Sequence, residues 1–281
     1  MQFIRHFLLA IQFFTRIPIT GKLADWVGFS PAMLRASAAH FPAVGILIGL
    51  VAAAVYALLI TVLPNSAYSP LVAAVLSTTA TVLLTGAFHE DGLADLADGL
   101  GGSYDKARAL EIMKDSRVGA FGALALSLAV LAKVALLALL GSVSGAPGGW
   151  GDIEDAYLLP WANVCSALVA GHVVSRTLAL LLVYALPHVG DSATSKSKPL
   201  ADKISAGSLV VALFWCFMAL ALVLYAQAAI ILGVACLFAV VALLYMYRLL
   251  KRRLQGFTGD CLGATQQVCE IAFYLGLAVA L

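Results

Sequence analysis

Three aspartates carry the first sign of chemistry. Asp91, Asp95 and Asp98 stand at i, i+4 and i+7, so a helix running through them presents all three on one face. Like charges stacked this way repel, the more so beside a low-dielectric bilayer. A hard divalent cation is the natural compensator, because Mg²⁺ takes carboxylate oxygens and keeps positions for substrate phosphates. Seven of the chain's fifteen acidic residues fall between Glu90 and Asp115. Gly92, Gly99, Gly101 and Gly102 are expected to allow close backbone approach and to break the helix after one or two turns. Lys114, Asp115, Ser116 and Arg117 follow at once. Carboxylates for a metal beside cations for phosphate oxygens is the arrangement that phosphoryl transfer requires. A solvated acidic loop is the bland alternative, and such loops usually lack this register and glycine density. His89 stays open as a ligand, a base or a satisfied interface histidine.

Two further clusters are weaker. Thr258, Asp260, Gln266, Gln267 and Glu270 open the last apolar stretch, where polar side chains are costly. Asp260, between two glycines, could complete a metal or phosphate site; a polar interface between helices is the competing reading. Arg16, in Thr15-Arg16-Ile17-Pro18, reads alone as an anchor to headgroups. Arg176 lies inside an apolar run, where a charge needs a partner or an aqueous cavity.

The elements that must hold these residues are membrane helices. The chain is 62% hydrophobic and 11% charged, against about 25% charged in a soluble domain, and its mean hydropathy is +0.99. A span needs roughly 20 apolar residues. Seven candidates follow: 41–63, 69–88, 119–140, 156–186, 205–226, 228–250 and 262–281. The expected fold is an all-α integral membrane protein, a polytopic bundle of about seven transmembrane helices forming one catalytic domain over 1–281. The N-terminal run MQFIRHFLLAIQFFTRIPIT is too short to span and lacks a cleavage site, so it reads as an interfacial or re-entrant helix. The five cysteines show no metal-binding spacing and read as reduced packing residues.

Charge then orients the bundle. Fifteen of the seventeen basic residues lie in the N-terminal region and in the stretches 89–118, 187–204 and 248–261. The alternate loops carry none. The positive-inside rule assigns the basic side to the cytoplasm, which puts the N-terminus and the acidic segment there, in a bacterial inner membrane. The exceptions are Arg176 and Lys133, the latter near enough to the outer end of its span to snorkel. A net charge of +2 gives no reason to expect nucleic acid. No span carries a G-x-x-x-G seam that fixes an oligomeric state, so a homo-oligomer stays open.

At these residues the chain resembles the cobalamin synthase family, the adenosylcobinamide-GDP ribazoletransferases. The matching pieces are FFTRIPI (13–19), FPAVGILIG (41–49), FHEDGLADLADGLGG (88–102), IMKDSRVGAFGALAL (112–126) and TGDCLGA (258–264). They run in family order over essentially the whole chain, and the two central motifs are the specific ones. The resemblance implies transfer of the cobinamide phosphoryl group of adenosylcobinamide-GDP to α-ribazole or its 5′-phosphate. GMP leaves, and Mg²⁺ is the implied cofactor. For that reaction the chemistry of the residues assigns Asp91, Asp95 and Asp98 as expected metal ligands and one of them, or Glu90, as the expected proton acceptor. Lys114 and Arg117 would face the departing phosphate. His89, Arg16, Asp115, Ser116, Arg176 and Asp260 complete the expected substrate-binding set.

Two competing readings remain. A CDP-alcohol phosphotransferase would show D-G-x-x-A-R, but here Asp91-Gly92-Leu93-Ala94 is followed by Asp95, with no arginine. A divalent-cation transporter would place its acids near mid-membrane on broken spans, whereas these cluster at a membrane edge.

Overall fold

A computed structural model describes residues 1–143, 161–190, 204–224 and 229–281. Lys196, Lys198 and Lys203, counted above for orientation, lie outside the described residues, as do the first residues of the fourth predicted span. Twelve α-helices are described: α1 (Gln2–Phe14), α2 (Gly21–Val27), α3 (Pro31–Ser37), α4 (Phe41–Val62), α5 (Ser69–Thr85), α6 (Phe88–Gly102), α7 (Lys106–Ile112), α8 (Ala120–Val143), α9 (Ala162–Ala185), α10 (Ala206–Val223), α11 (Ala229–Arg253) and α12 (Gly259–Ala280). Among the described residues six stretches are long and apolar enough to cross a membrane; α5 and α6, bent sharply at a short break, bring the number to seven only when counted as one broken span. That agrees with the expected polytopic helical membrane protein.

Local chemistry sets the boundaries. Proline falls in the first turn of α3, α4 and α5, where its missing N–H costs nothing. Side-chain oxygens of Ser30, Asp105, Ser205 and Thr258 accept the early amide protons of α3, α7, α10 and α12. α1 is only 13 residues long, with Leu9, Ala10, Ile11 and Phe14 buried and Met1, Phe3 and Ile4 exposed. At 1.5 Å per residue it is too short to span.

α9 is the central post. Its apolar window is 83% buried, against 22%, 17% and 28% for α8, α10 and α11, which leaves those three on the outside. Small residues let neighbours reach it. A Cβ on Gly45 would lie 2.6 Å from the His172 carbonyl oxygen, and one on Gly49 would lie 2.7 Å from the Val169 Cα. The G-x-x-x-G spacing in FPAVGILIG thus serves α4–α9 packing within the chain. Gly276 of α12 meets Ala235 of α11 in the same way.

Candidate active site

The acidic segment is a helix, and its direction comes from an elbow. Gly86 and Ala87 both take the left-handed conformation, at φ 67° and 60°, and α6 departs at 88° to α5. α6 therefore runs nearly at right angles to α5 rather than continuing it. A side chain on Gly86 would strike the Arg16 guanidinium, and the Arg16 amide donates to the Leu84 carbonyl at 2.7 Å. Arg16 is thus placed at the elbow, away from an isolated headgroup-anchoring position.

The glycines do not break α6, contrary to the sequence expectation. The helix continues through Gly92 and Gly99 to Gly102. Both glycines are close-approach points: a Cβ on Gly92 would lie 2.8 Å from the Asp260 carbonyl oxygen, and one on Gly99 would meet Met113 and Ala109. Contact with α12 and α7 offsets the entropy that glycine costs in a helix. At the far end, Arg253 Nη2 donates to the carbonyls of Leu100 and Ser103 at 2.9 and 2.7 Å. Its guanidinium sits 4.6 Å over the Tyr104 ring.

A helix held at both ends carries the predicted face. Asp91 is exposed, while Asp95 and Asp98 are half-buried. Asp98 is engaged: its Oδ2 accepts from the Gly119 amide at 2.7 Å and its Oδ1 from the Gly122 amide at 2.8 Å. It caps the start of α8, and each oxygen keeps one further lone pair. Asp260 lies across from Asp95 at the start of α12, where its Oδ2 accepts from the Thr258 hydroxyl at 3.2 Å. Burial and then the charges of Asp260, Asp91 and Asp98 push the Asp95 carboxyl up to about 7. Among the described residues no lysine or arginine pairs with any of these four carboxylates.

Among the described residues this is a cluster short of positive charge. Among the described residues no three His, Cys, Asp or Glu side chains converge tightly enough to hold a metal alone. Mg²⁺ does not need three: it is usually held by one or two carboxylates, with water and phosphate oxygens filling its octahedron. Asp91 and Asp95, with Asp260 opposite, fit that requirement.

The other predicted residues divide into two groups. Lys114, Ser116 and Arg117 are exposed between α7 and α8. Arg117 forms a 2.6 Å ion pair with Asp115, and those hydrogen bonds hold the Asp115 carboxyl at about 2. Glu90, His89 and Arg176 are buried instead. Glu90 Oε1 accepts from Gln267 Nε2 at 3.0 Å. His89 stacks on Phe41 at 5.7 Å. Arg176 donates to the His172 carbonyl at 3.0 Å and sits 5.5 Å over Phe41.

Beneath them lies a polar network the sequence reading only half found. Glu270 receives Lys133 at 2.6 Å, His172 at 3.2 Å, Tyr274 at 3.1 Å and Gln266 at 2.5 Å. Gln267 bridges Gln266 to Glu90. Gln266, Gln267 and Glu270 stood out by their cost in an apolar stretch. Lys133 does not snorkel as expected: it is 3% exposed, because an internal carboxylate satisfies it. His172 was missed, and its signal was its place one turn before Arg176 in an otherwise apolar run.

The comparisons with known proteins now decide between families. A model of the family described as cobalamin-5-phosphate synthase matches residues 6–278. The chain belongs to that family. Curated proteins named adenosylcobinamide-GDP ribazoletransferase are similar throughout its length. One from Polaromonas sp. strain JS666 is 69% identical over 100% of this chain and 98% of its own. One from Polaromonas naphthalenivorans is 67% identical over the whole of both. A Vibrio parahaemolyticus relative is 38% identical over 96% of this chain and 91% of its own. No solved structure matches. As a cobalamin-5-phosphate synthase family member, the protein is a transferase of cobalamin biosynthesis, and its apolar helices make it a multi-pass membrane protein.

Proposed function

We propose that the protein transfers the cobinamide phosphoryl group of adenosylcobinamide-GDP to a ribose hydroxyl of α-ribazole, or of its 5′-phosphate, on the outward face of α6. The observation that carries this reading is the group formed by Asp91, Asp95 and Asp260: facing carboxylates that, among the described residues, pair with no lysine or arginine, on a helix pinned at both ends.

Asp91 and Asp95 would hold Mg²⁺, with Asp260 completing the negative pocket. When bound, the ion supplies neutralising charge to the diphosphate oxygens. The chain's own groups supply the rest. An acceptor hydroxyl oxygen bonds to the phosphorus that carries the cobinamide, and the bond from that phosphorus to the GMP oxygen breaks. The hydroxyl proton passes to a carboxylate of the outward face. Glu90 is turned inward to Gln267, so the acceptor is drawn from Asp91, Asp95 and Asp260. Lys114 and Arg117, in the exposed stretch between α7 and α8, balance the negative charge on departing GMP. Arg117 must exchange Asp115 for phosphate to do so. His89 and Arg176 act from below as supports for the head of α6, and Arg16 fixes its elbow.

The site shares its end of the molecule with Arg253, Lys114 and Arg117, which supports a cytoplasmic orientation in a bacterial inner membrane. The deciding experiment gives purified protein in lipid adenosylcobinamide-GDP, α-ribazole and Mg²⁺, and follows GMP and cobalamin together. Stoichiometric formation of both, lost in Asp95→Asn with the fold retained, is expected. Folded wild-type protein that releases neither product sinks the reading.

A further inference from the structure

We propose that Gln267 is a positioning residue for the acidic face: its hydrogen bond to Glu90 fixes the register of α6 against α12, and with it the placement of Asp91 and Asp95 opposite Asp260. The inference rests on the function proposed above. Asp260, Gly263 and Gln267 stand at i, i+3 and i+7, so they form one stripe of α12. That stripe is the one turned to α6. A Cβ on Gly92 would lie 2.8 Å from the Asp260 carbonyl oxygen, and one on Gly263 would lie 3.2 Å from the His89 Cα. Gln267 Nε2 donates to Glu90 Oε1 at 3.0 Å. The carboxylate of the site and the buried hydrogen bond therefore share a seam, two helical turns apart.

The contacts along that seam differ in what they fix. Glycine against backbone permits close approach, but van der Waals contact has little direction. A buried hydrogen bond has direction: a shift of register that breaks it strands Glu90 Oε1 and the Gln267 amide in the interior. Single buried polar groups set the register of packed coiled-coil helices by the same penalty. Glu90 Oε2 is buried and has no hydrogen-bond partner, so among the described residues the Glu90 side chain is tied to α12 by this one bond.

Gln267 is itself held in place. Both protons of its amide nitrogen are used, one on Glu90 and one on Gln266 Oε1 at 3.1 Å. Gln266 in turn donates to Ser175 Oγ of α9 at 3.0 Å and to Glu270. Glu270 is fixed by Lys133 of α8 and His172 of α9. The amide that meets Glu90 is thus aimed from the central post, and the head of α6 takes its place from the buried network. Glu90 immediately precedes Asp91, so a displacement of one carries the other.

The test uses full-length protein in lipid nanodiscs, with Mn²⁺ as the probe. Mn²⁺ binding is read by electron paramagnetic resonance without substrate, beside the Mg²⁺ requirement, KM for α-ribazole and the unfolding midpoint. Wild type should bind Mn²⁺ at a site lost in Asp95→Asn. Glu90→Leu combined with Gln267→Leu removes both partners of the bond, so neither is left stranded and the unfolding midpoint should stay near that of wild type. Its Mn²⁺ dissociation constant and its Mg²⁺ requirement should each rise about tenfold, as when a group that orients metal ligands is lost, with KM for α-ribazole unchanged. Glu90→Gln deletes the charge but keeps an oxygen for Gln267, and should bind Mn²⁺ nearly as wild type does. Gly263→Ala leaves the bonded pair in place and presses on His89, so it should weaken Mn²⁺ binding in the same direction. Wild-type Mn²⁺ affinity in the double variant, or in Gly263→Ala should the double variant not fold, overturns the proposal. So does a loss in Glu90→Gln equal to that of the double variant, since charge and not register would then be the cause. A folded wild type with no Asp95-dependent Mn²⁺ binding would defeat the metal reading of the acidic face itself, a distinguishable failure.

Discussion

Lys133 Nζ lies 2.6 Å from Glu270 Oε1, with the two side chains 4% and 0% exposed. Removing one partner of such a pair strands a charge where neither water nor lipid can solvate it, at a cost of about 3–5 kcal/mol. Lys133→Met alone should therefore lower thermal stability sharply. Lys133→Met with Glu270→Gln should recover much of the loss, because a neutral amide can still engage Tyr274 and Gln266. Thermal unfolding in a fixed detergent checks this. Equal destabilisation by the single and double changes would show that the pair contributes through packing rather than charge.

Asp98 and Asp91 sit on the same helical face and should fail in different ways. Asp98 accepts the Gly119 and Gly122 amides, so Asp98→Ala uncaps α8 and should cost about 1–2 kcal/mol. Asp91 is exposed and makes no ion pair among the described residues, so Asp91→Asn should leave the unfolding midpoint alone while abolishing GMP release. Unfolding curves run beside GMP assays separate the two. An Asp91→Asn protein that keeps most of its turnover would remove Asp91 from the chemistry.

The contrast between those two aspartates shows what the sequence could and could not disclose. The i, i+4, i+7 register of Asp91, Asp95 and Asp98 was legible because helical geometry is local. The span count was legible because apolar length is local too. That Asp98 turns to α8 was not, since the Gly119 and Gly122 amides become orphan donors only once α8 begins beside it. The 88° elbow was equally hidden: Gly86 signals a helix end, but nothing local announces a left-handed Ala87. Gly92 and Gly99 looked like helix breakers because their tertiary neighbours were unknown. Lys133 looked like a snorkelling residue because its partner lies on another helix.

Asp95 sets a pH dependence. With its carboxyl raised from 3.8 to about 7, the folded protein without a cation keeps a proton that the unfolded chain has released between those values. The unfolded state then binds fewer protons, so stability falls as pH rises through that window and levels off above it. A metal bound at Asp95 must displace the same proton. The Mg²⁺ concentration for half-maximal activity should thus rise by about tenfold per pH unit below 7, and stay level above it. Mg²⁺ titrations at pH 5.5, 6.5, 7.5 and 8.5 test this. A requirement that does not change between 5.5 and 7.5 would mean that Asp95 does not meet the ion.

Arg253 links the end of α11 to the far end of α6. One guanidinium nitrogen serves the carbonyls of Leu100 and Ser103 together, and the planar group lies over Tyr104. A flexible ammonium reproduces neither the fork nor the stacking. Arg253→Gln should lose charge-assisted hydrogen bonds of about 1.5–3 kcal/mol, free the last turn of α6 and widen the spread of Asp95 and Asp98. Because α6 also stays held by Gln267 at Glu90 and by Gly92 against α12, the fold should persist. The defect should therefore appear as a fall in kcat of about tenfold and a higher Mg²⁺ requirement, with Arg253→Lys restoring only part of it. Unchanged kcat in a less stable Arg253→Gln protein would show that the acidic face is set by the elbow and α12 alone, and that the far end of α6 merely anchors it.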